Sequence, residues 1–451
     1  MSTALRDRLV DAIERAPRFP AVGRVARVAG TAIEIEGLPA SIGAIVEIER
    51  PNGAIAAEVV GFRDERIICA PYGEAAGIAP GAEVRVRSAA LRVPVGPGLI
   101  GRVINAFGRP IDGKGPISAP TRAPHAGAVR AMERSRIDRP VWTGVRTIDA
   151  FTTPGRGGRI GIFAGSGVGK STIIAMIARH AEADVNVIAI VGERGREVAE
   201  FIDDQIGVDG LARSVVVVAT GDEPALLRMR AAETATAIAE GFRDEGKDVL
   251  FLMDSVTRYA TAAREVGLAS GEPPVMRGFP PSVFSLLPKL LERTGNGARG
   301  SITAFYAVLV EGGDFDEPVS DAVRSIVDGH VILSRRIAER NHWPAIDVPA
   351  SLSRVMPAVT DIDHREAAGS VRSMIAAYEE ARDLIEVGAY ARGSNPLVDL
   401  AIDRRLEIEA FTAQRLEDRA EPAVTIAALA EIARPAASVS TSNDAEMASL
   451  V

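Results

Sequence analysis

Hydrophobic and polar positions change period several times along this chain, and the changes divide it. Over residues 3–16, Leu5, Leu9, Ala12 and Ile13 fall on one helical face, with Arg6, Asp7, Arg8, Asp11 and Glu14 elsewhere. A helix this short is marginal by itself and must dock, on its own domain or on a partner. From residue 20 to residue 92 the period drops to that of strands. Short alternating stretches, Arg24–Val28, Thr31–Glu36, Ala44–Glu49, Ile55–Gly61, Arg66–Ala70 and Glu83–Arg87, are separated by turns such as Pro51-Asn52-Gly53 and Pro80-Gly81. Strands of this length and spacing predict a small barrel. Residues 93–158, rich in Gly, Pro and Arg, predict an extended, loop-rich lead into the next domain. Residues 159–350 alternate apolar runs with helical stretches: Arg159–Ala164, Val185–Val191, Ser214–Ala219, Val249–Asp254, Ile302–Val310 and His330–Leu333 read as buried strands, and Glu223–Arg243 as a helix between two of them. That alternation predicts a parallel α/β sheet. Residues 361–434 return to helical period in Glu366–Gly388 and Leu400–Arg419, and Pro435–Val451 is small and polar, a loose tail.

Composition narrows the class. A chain of 451 residues, 47% apolar, can build two or three domains with a large core. A net charge of −8 argues against a general nucleic-acid binder. So does the barrel, where only Phe62 and Tyr72 could serve as stacking platforms for bases. The single cysteine, Cys69, excludes an intrachain disulfide and fits a reducing cytosol. No apolar run approaches the roughly 18 residues of a membrane span, and the first residues lack a signal-peptide core; the expected location is cytoplasmic. The five histidines show no metal-ligand spacing.

The chemistry concentrates at one point. Between the apolar run Arg159–Ala164 and the helical stretch Ser171–Glu182 lies Gly165-Ser166-Gly167-Val168-Gly169-Lys170-Ser171-Thr172. Strand, glycine-rich loop and helix form the setting of a phosphate-binding loop. Glycines let backbone N–H groups curl around a polyphosphate, and the helix N-terminus adds positive dipole at the same spot. Lys170 is placed to reach the outer phosphates, and the Ser171 hydroxyl to ligate Mg²⁺. The pattern G-x-x-x-x-G-K-[ST] asks for Gly where this chain has Ala164, the smallest alternative.

Polar residues just after strands are the next candidates, because ligands of such sheets bind at the carboxyl ends of strands. Asp254 ends the run Val249-Leu-Phe-Leu-Met-Asp254 and suits a carboxylate that holds Mg²⁺ through its water shell. Glu193 follows Val185–Val191 in Gly192-Glu193-Arg194-Gly195-Arg196-Glu197. Such a carboxylate can polarise an attacking water, or Glu193 and Glu197 can favour the N-terminus of the next helix. Arg194 can lie against phosphates. Arg258, four residues after Asp254, either faces the same cleft or pairs structurally. Nothing in the spacing around Arg354, in Ala350-Ser-Leu-Ser-Arg354, brings it to a phosphate.

Several stretches resemble a known family. Pro344-Ala345-Ile346-Asp347-Val348-Pro349-Ala350-Ser351-Leu352-Ser353 is similar to the signature of the α/β subunits of rotary ATPases. Gly271-Glu-Pro-Pro-Val-Met-Arg-Gly-Phe-Pro-Pro-Ser282, Val310–His330 and Phe163–Ser171 resemble the type III export ATPases of that superfamily, in particular the flagellar branch. The resemblance runs from about residue 20 over nearly the whole chain, and Ala164 is a variant that export ATPases often show. It implies a RecA-like P-loop NTPase core with a parallel sheet, over residues 93–358. A helix at 1–18 and a β-barrel at 19–92 precede it; a C-terminal helical domain at 359–434 and a tail at 435–451 follow. It implies a homohexameric ring hydrolysing ATP with Mg²⁺ at subunit interfaces to unfold and load protein export substrates. The family's roles fall on Lys170 and Ser171 in the loop and on Glu193 as catalytic carboxylate. Asp254 takes the Mg²⁺ role, Arg194 and Arg258 lie beside the phosphates, and Arg354 is a finger acting on the neighbour's nucleotide. Trp343 takes the place of the Tyr that packs on adenine; a larger π face suits a purine. The implied partners are a regulator that anchors the N-terminal helix, a coiled-coil stalk protein in the ring, an export-gate membrane protein and chaperone–substrate complexes, without nucleic acid. Any membrane association would be through partners beneath the gate. The resemblance implies that a virulence-type secretion ATPase would share every catalytic residue. A Rho-like RNA translocase and a proton-driven synthase subunit share the core, but the acidic charge and the export-type stretches argue against them.

Overall fold

The computed structural model describes residues 21–125, 127–310 and 314–434. The expected helix at 3–16, the tail from Pro435 and the stretch Glu311–Gly313 lie outside the described residues. The chain divides into two compact units. The first holds residues up to Arg92 with Glu223–Leu227 and Ala262–Pro280; the second holds Val93–Asp222, Arg228–Thr261 and the chain from Pro281.

The first unit is built on a closed six-stranded barrel, as the alternating period predicts. Strands β1 (Val22–Ala29), β2 (Ala32–Glu36), β3 (Ile45–Ile48), β4 (Ile55–Arg63), β5 (Arg66–Pro71) and β6 (Glu83–Ser88) close in the order β1-β2-β5-β4-β3-β6. Ile33, Ile35, Val46, Ile48, Ala57 and Val59 fill the interior. Closure removes the sheet edges that would otherwise invite pairing. Phe62 is exposed, whereas Tyr72 is turned in and its hydroxyl donates to Glu58. Cys69 lies inside the barrel, and burial, helped by the Glu58 charge, pushes its thiol pKa up to about 12, so it is no nucleophile.

The second unit is organised by a nine-stranded sheet. Its strands are β7 (Arg102–Asn105), β8 (Arg159–Ala164), β9 (Val185–Val191), β10 (Ser214–Ala219), β11 (Asp248–Asp254), β12 (Ser301–Leu309), β13 (Gly329–Leu333) and β14 (Ile346–Ser353), with Gly295–Asn296 pairing off the edge of β12. The order across the sheet is β14-β13-β8-β12-β11-β9-β10-β7. Along that order pairing is parallel except at β14, which runs antiparallel to β13. Every residue of β8, β9 and β10 is buried, as parallel strands covered on both faces require.

Helices named below are α1 (Arg146–Phe151), α2 (Lys170–His180), α3 (Gly195–Glu200), α4 (Ala225–Asp244), α5 (Val256–Ala269), α6 (Ile362–Glu386), α7 (Pro396–Asp403), α8 (Arg405–Thr412) and α9 (Pro422–Ala433). In α2 the expected apolar face, Ile173, Ile174, Ile177 and Ala178, is buried. The C-terminal helices share the core of the sheet: Phe411 of α8 meets Phe151 of α1 edge-on, ring centroids 6.1 Å apart. The Arg372 guanidinium of α6 donates to the carbonyls of Val348 (2.8 Å) and Phe151 (2.7 Å).

Three segments differ from the sequence expectation. The loop-rich stretch 93–158 contributes β7, which extends the sheet beside β10, and the helix α1. The segment after Pro344 is a strand, β14, although it contains Pro349; it pairs on one side only, where a missing N–H is tolerated. The expected helix Leu400–Arg419 is α7 and α8, and it stops at Thr412. Arg146 Nη1 donates to the carbonyl of Phe411 (3.0 Å) and Thr147 Oγ1 to that of Thr412 (3.2 Å), so tertiary donors end the helix where its own period would continue.

Candidate active site

The glycine loop lies between β8 and α2, as its sequence setting requires. Ala164 is the last residue of β8 and is fully inside the sheet, paired with Leu309 and Leu333. Its conformation is that of a strand, so a methyl group is accommodated there. Gly169 is different: its φ of +87° is left-handed, and a Cβ would lie 3.0 Å from Trp343 Cζ3. Only glycine gives both the turn and the close approach of the indole. The loop, α2 and Trp343 form one end of a cleft of about 1990 Å³ that also takes in Glu193, Arg194 and Arg258.

Lys170 and Glu193 line this cleft, and next to them the sheet adds Asp254, so that three side chains come together. Lys170 Nζ donates to Glu193 Oε1 at 3.1 Å and makes a second, shorter contact with Asp254 Oδ1. Lys170 and Asp254 are 84 residues apart in sequence, Lys170 and Glu193 23. They meet because β8, β11 and β9 are parallel near-neighbours whose carboxyl ends align. All three side chains are largely buried. Burial alone would disfavour the Lys170 ammonium, but the Asp254 and Glu193 carboxylates outweigh it and raise its pKa. Asp254 is displaced upward by burial, only partly opposed by Lys170. Glu193 is held down: burial is overcome by Lys170, with Arg258 adding to the effect.

Arg258, on the first turn of α5, reaches this cluster because Gly192 leaves room. A Cβ on Gly192 would lie 2.9 Å from that of Arg258. Arg194 stands at the mouth, its side chain 83% exposed, with Glu197 Oε1 3.5 Å from its guanidinium. Glu197 lies in the first turn of α3, where a carboxylate meets the positive end of the helix. Oxygen donors for a hard cation are present in the Ser171 hydroxyl, at the start of α2, and in Asp254. Among the described residues no group of three or more His, Cys, Asp or Glu could hold a metal unaided. Arg354 follows β14, its N–H bonded to Asp328 O at 2.8 Å, and is not among the described residues that line this cleft.

Further residues line the cleft that the sequence did not single out. Arg335 donates to the Ser166 carbonyl at 3.2 Å and so supports the loop from outside; it lies two residues beyond the end of β13, a position the strand-end rule could have flagged. Gln414, Arg415, Leu416 and Asp418 also line it, in the turn after α8. Nothing in their local pattern distinguished them from a helical surface.

Fold and cleft together define a nucleotide-binding α/β domain, preceded in the chain by a β-barrel and followed by C-terminal helices. Residues 144–353 match the profile of the ATP synthase alpha/beta family nucleotide-binding domain. Residues 25–86 match the beta-barrel domain of that family, and residues 360–431 the T3SS EscN ATPase C-terminal domain. The chain is 50% identical over 433 residues to the flagellum-specific ATP synthase of Bacillus subtilis, covering 94% of this chain and 98% of the relative. It is 51% identical over 395 residues to a type 3 secretion system ATPase of Xanthomonas euvesicatoria, covering 87% and 89%. It also matches the assembled ATPase EscN, solved with its central stalk EscO from the enteropathogenic E. coli type III secretion system: TM-score 0.84, 46% identity, 91% of this chain and 100% of that one. The chain belongs to the family of flagellum-specific ATP synthases and type III secretion ATPases, and is an ATP-hydrolysing enzyme. Among the described residues no helix is long and apolar enough to cross a membrane.

Proposed function

We propose that this chain hydrolyses Mg-ATP as one subunit of a homohexameric ring that drives flagellar protein export. The observation that carries this reading is the meeting of Lys170, Glu193 and Asp254 beneath the glycine loop. Without phosphate, Lys170 is neutralised by two carboxylates. A triphosphate on the loop N–H groups draws the ammonium to its outer phosphates. Asp254 and the Ser171 hydroxyl would hold Mg²⁺, and the ion would supply neutralisation of phosphate charge. Glu193, no longer engaged by Lys170, orients a water in line with the γ-phosphorus. That water's oxygen bonds to phosphorus as the bond to the β-phosphate oxygen breaks; its proton passes to the Glu193 carboxylate and on to solvent, releasing ADP and phosphate. Arg258 and Arg194 lie on the side where charge builds on the phosphoryl oxygens. Trp343, over Gly169, takes the base. The position of Arg354 outside its own cleft supports a finger completing a neighbour's site. The likeness to EscN, assembled and carrying its central stalk EscO, supports a ring and a stalk partner for this chain too. An anchoring regulator at the N-terminal helix, chaperone–substrate complexes and a membrane export gate complete the partners proposed, with the ring at the cytoplasmic face of that gate.

The test is to place Lys170→Ala in the chromosomal copy and to measure hook and filament protein in the medium and ATP hydrolysis by the purified chain. Hydrolysis should fall to background, and both exported proteins should disappear from the medium while intracellular flagellin persists. Hydrolysis at the parent rate would reject the site. Lost hydrolysis with normal flagellar secretion would reject the flagellar assignment and leave the virulence-type reading that the Xanthomonas relative represents.

A further inference from the structure

The side of the cleft that carries Trp343 is made of segments that belong to no regular element. Trp343 lies just ahead of β14, and the Ala413–Asp418 turn lies between α8 and α9. Loops of this kind keep one position only through bonds to something rigid. Gln414, 8% exposed, supplies four. Its Oε1 accepts from Arg146 N at 2.8 Å, and its Nε2 donates to Gly144 O and to Asp418 O, each at 2.7 Å. Its own N–H donates to Trp343 O at 2.9 Å. The amide orientation is fixed by its partners, because an N–H faces the oxygen and two carbonyls face the nitrogen. The turn it grips, Thr143–Arg146, is itself rigid: Asp149 accepts from Thr143 N (2.8 Å), Thr143 Oγ1 (2.7 Å) and Gly144 N (2.9 Å). Gln414 thus ties the C-terminal turn to the start of α1 and to Trp343, whose ring rests over Gly169.

We propose that Gln414 is a positioning residue for the base-side wall of the cleft, holding Trp343 and the Ala413–Asp418 turn in the register a nucleotide base requires. The proposal rests on the nucleotide reading given above. It concerns the base and not the phosphates, which Gln414 does not approach through any of its bonds. Replacing Gln414 by Ala leaves Arg146 N and Asp418 O without this partner, while Gly144 O keeps Ala420 N at 3.0 Å and the main-chain bond from residue 414 to Trp343 O survives. The turn, with Trp343 still bonded to it, is then free to shift against the start of α1.

The experiment uses the full-length chain with Mg²⁺ and two probes, ADP and inorganic tripolyphosphate, titrated calorimetrically. In Gln414→Ala the dissociation constant for ADP should rise about tenfold, while that for tripolyphosphate stays within about twofold of the parent. Gln414→Glu keeps the acceptor for Arg146 N but sets a carboxylate oxygen against the Gly144 and Asp418 carbonyls, so its ADP affinity should fall at least as far as that of the Ala variant. If the Ala variant does not fold, the Glu variant decides by the same ADP-to-tripolyphosphate ratio. Equal weakening of both probes would overturn the proposal in favour of a general structural role, and so would unchanged ADP binding. A parent that binds tripolyphosphate but not ADP would instead reject the nucleotide reading itself.

Discussion

Lys170 bonds to Glu193 and Asp254; on the proposed reading it exchanges them for phosphate, and the residues it leaves behind determine what each substitution does. Removing the ammonium by Lys170→Ala leaves Glu193 and Asp254 facing each other beneath the loop with Arg258 left to oppose their charge, so phosphate binding and hydrolysis should be lost together. Glu193→Gln keeps shape and volume but cannot polarise a water. ATP should remain bound while single-turnover cleavage slows by about 10²–10⁴-fold; cleavage at the parent rate in a rapid-quench experiment would remove Glu193 from that role. Trp343 contributes a flat apolar face rather than charge. Trp343→Ala should therefore weaken ADP by about tenfold while Trp343→Phe retains most of the affinity, read by the same titration.

At the level of elements, the loop between β8 and α2 is held by shape. Gly169→Ala forces an L side chain to a φ of +87° and pushes a methyl group to 3.0 Å from the indole. The backbone penalty alone is about 1–2 kcal/mol. Thermal melting should show a lower transition temperature, and ADP should bind more weakly. The edge strand β7 depends on a different device. The Arg102 guanidinium donates to both oxygens of Asp112 (2.7 and 2.9 Å), and Val103 N donates to the same carboxylate at 3.0 Å. Arg102 first, and then the backbone N–H groups of Val103 and Lys114, hold the Asp112 carboxyl well below the usual carboxylate range. A carboxyl whose folded pKa is depressed stabilises the fold above its unfolded pKa of about 4, and that contribution fades as pH falls toward the folded value. Asp112→Asn should thus be less stable than the parent at pH 7. The gap should narrow on acidification below about pH 4 in denaturant titrations; a gap independent of pH would exclude this linkage.

For the whole molecule, the site's completeness is the question. Arg354 does not line its own chain's cleft among the described residues, and a finger borrowed from a neighbour makes hydrolysis depend on assembly. Arg354→Ala should abolish turnover while ADP affinity stays near that of the parent. Mixed with Lys170→Ala subunits under exchange, it should recover part of the activity, because some interfaces then pair an intact loop with an intact finger. No recovery, with subunit exchange verified, would place Arg354 outside the reaction.

Sequence was most legible where burial was complete. The runs Arg159–Ala164, Val185–Val191 and Ser214–Ala219 are strands over those same residues, because a strand covered on both faces must be apolar throughout. The barrel was equally legible, since one wet and one dry face impose alternation. The phosphate loop needed nothing beyond its own residues, and the motifs around it carried the family. Edge strands and helix ends were not legible: β7 and β14 lie at the ends of the sheet order and are short of apolar residues, and α8 ends where Arg146 and Thr147 intercept its carbonyls. Local sequence thus determined which segments could bind phosphate and which could be buried. Only the tertiary structure decided that Lys170, Glu193 and Asp254 share one point, and that Gln414 bonds to Trp343 beside the loop. Strand order and loop-to-loop hydrogen bonds join residues tens to hundreds of positions apart, and no local period records such a pairing.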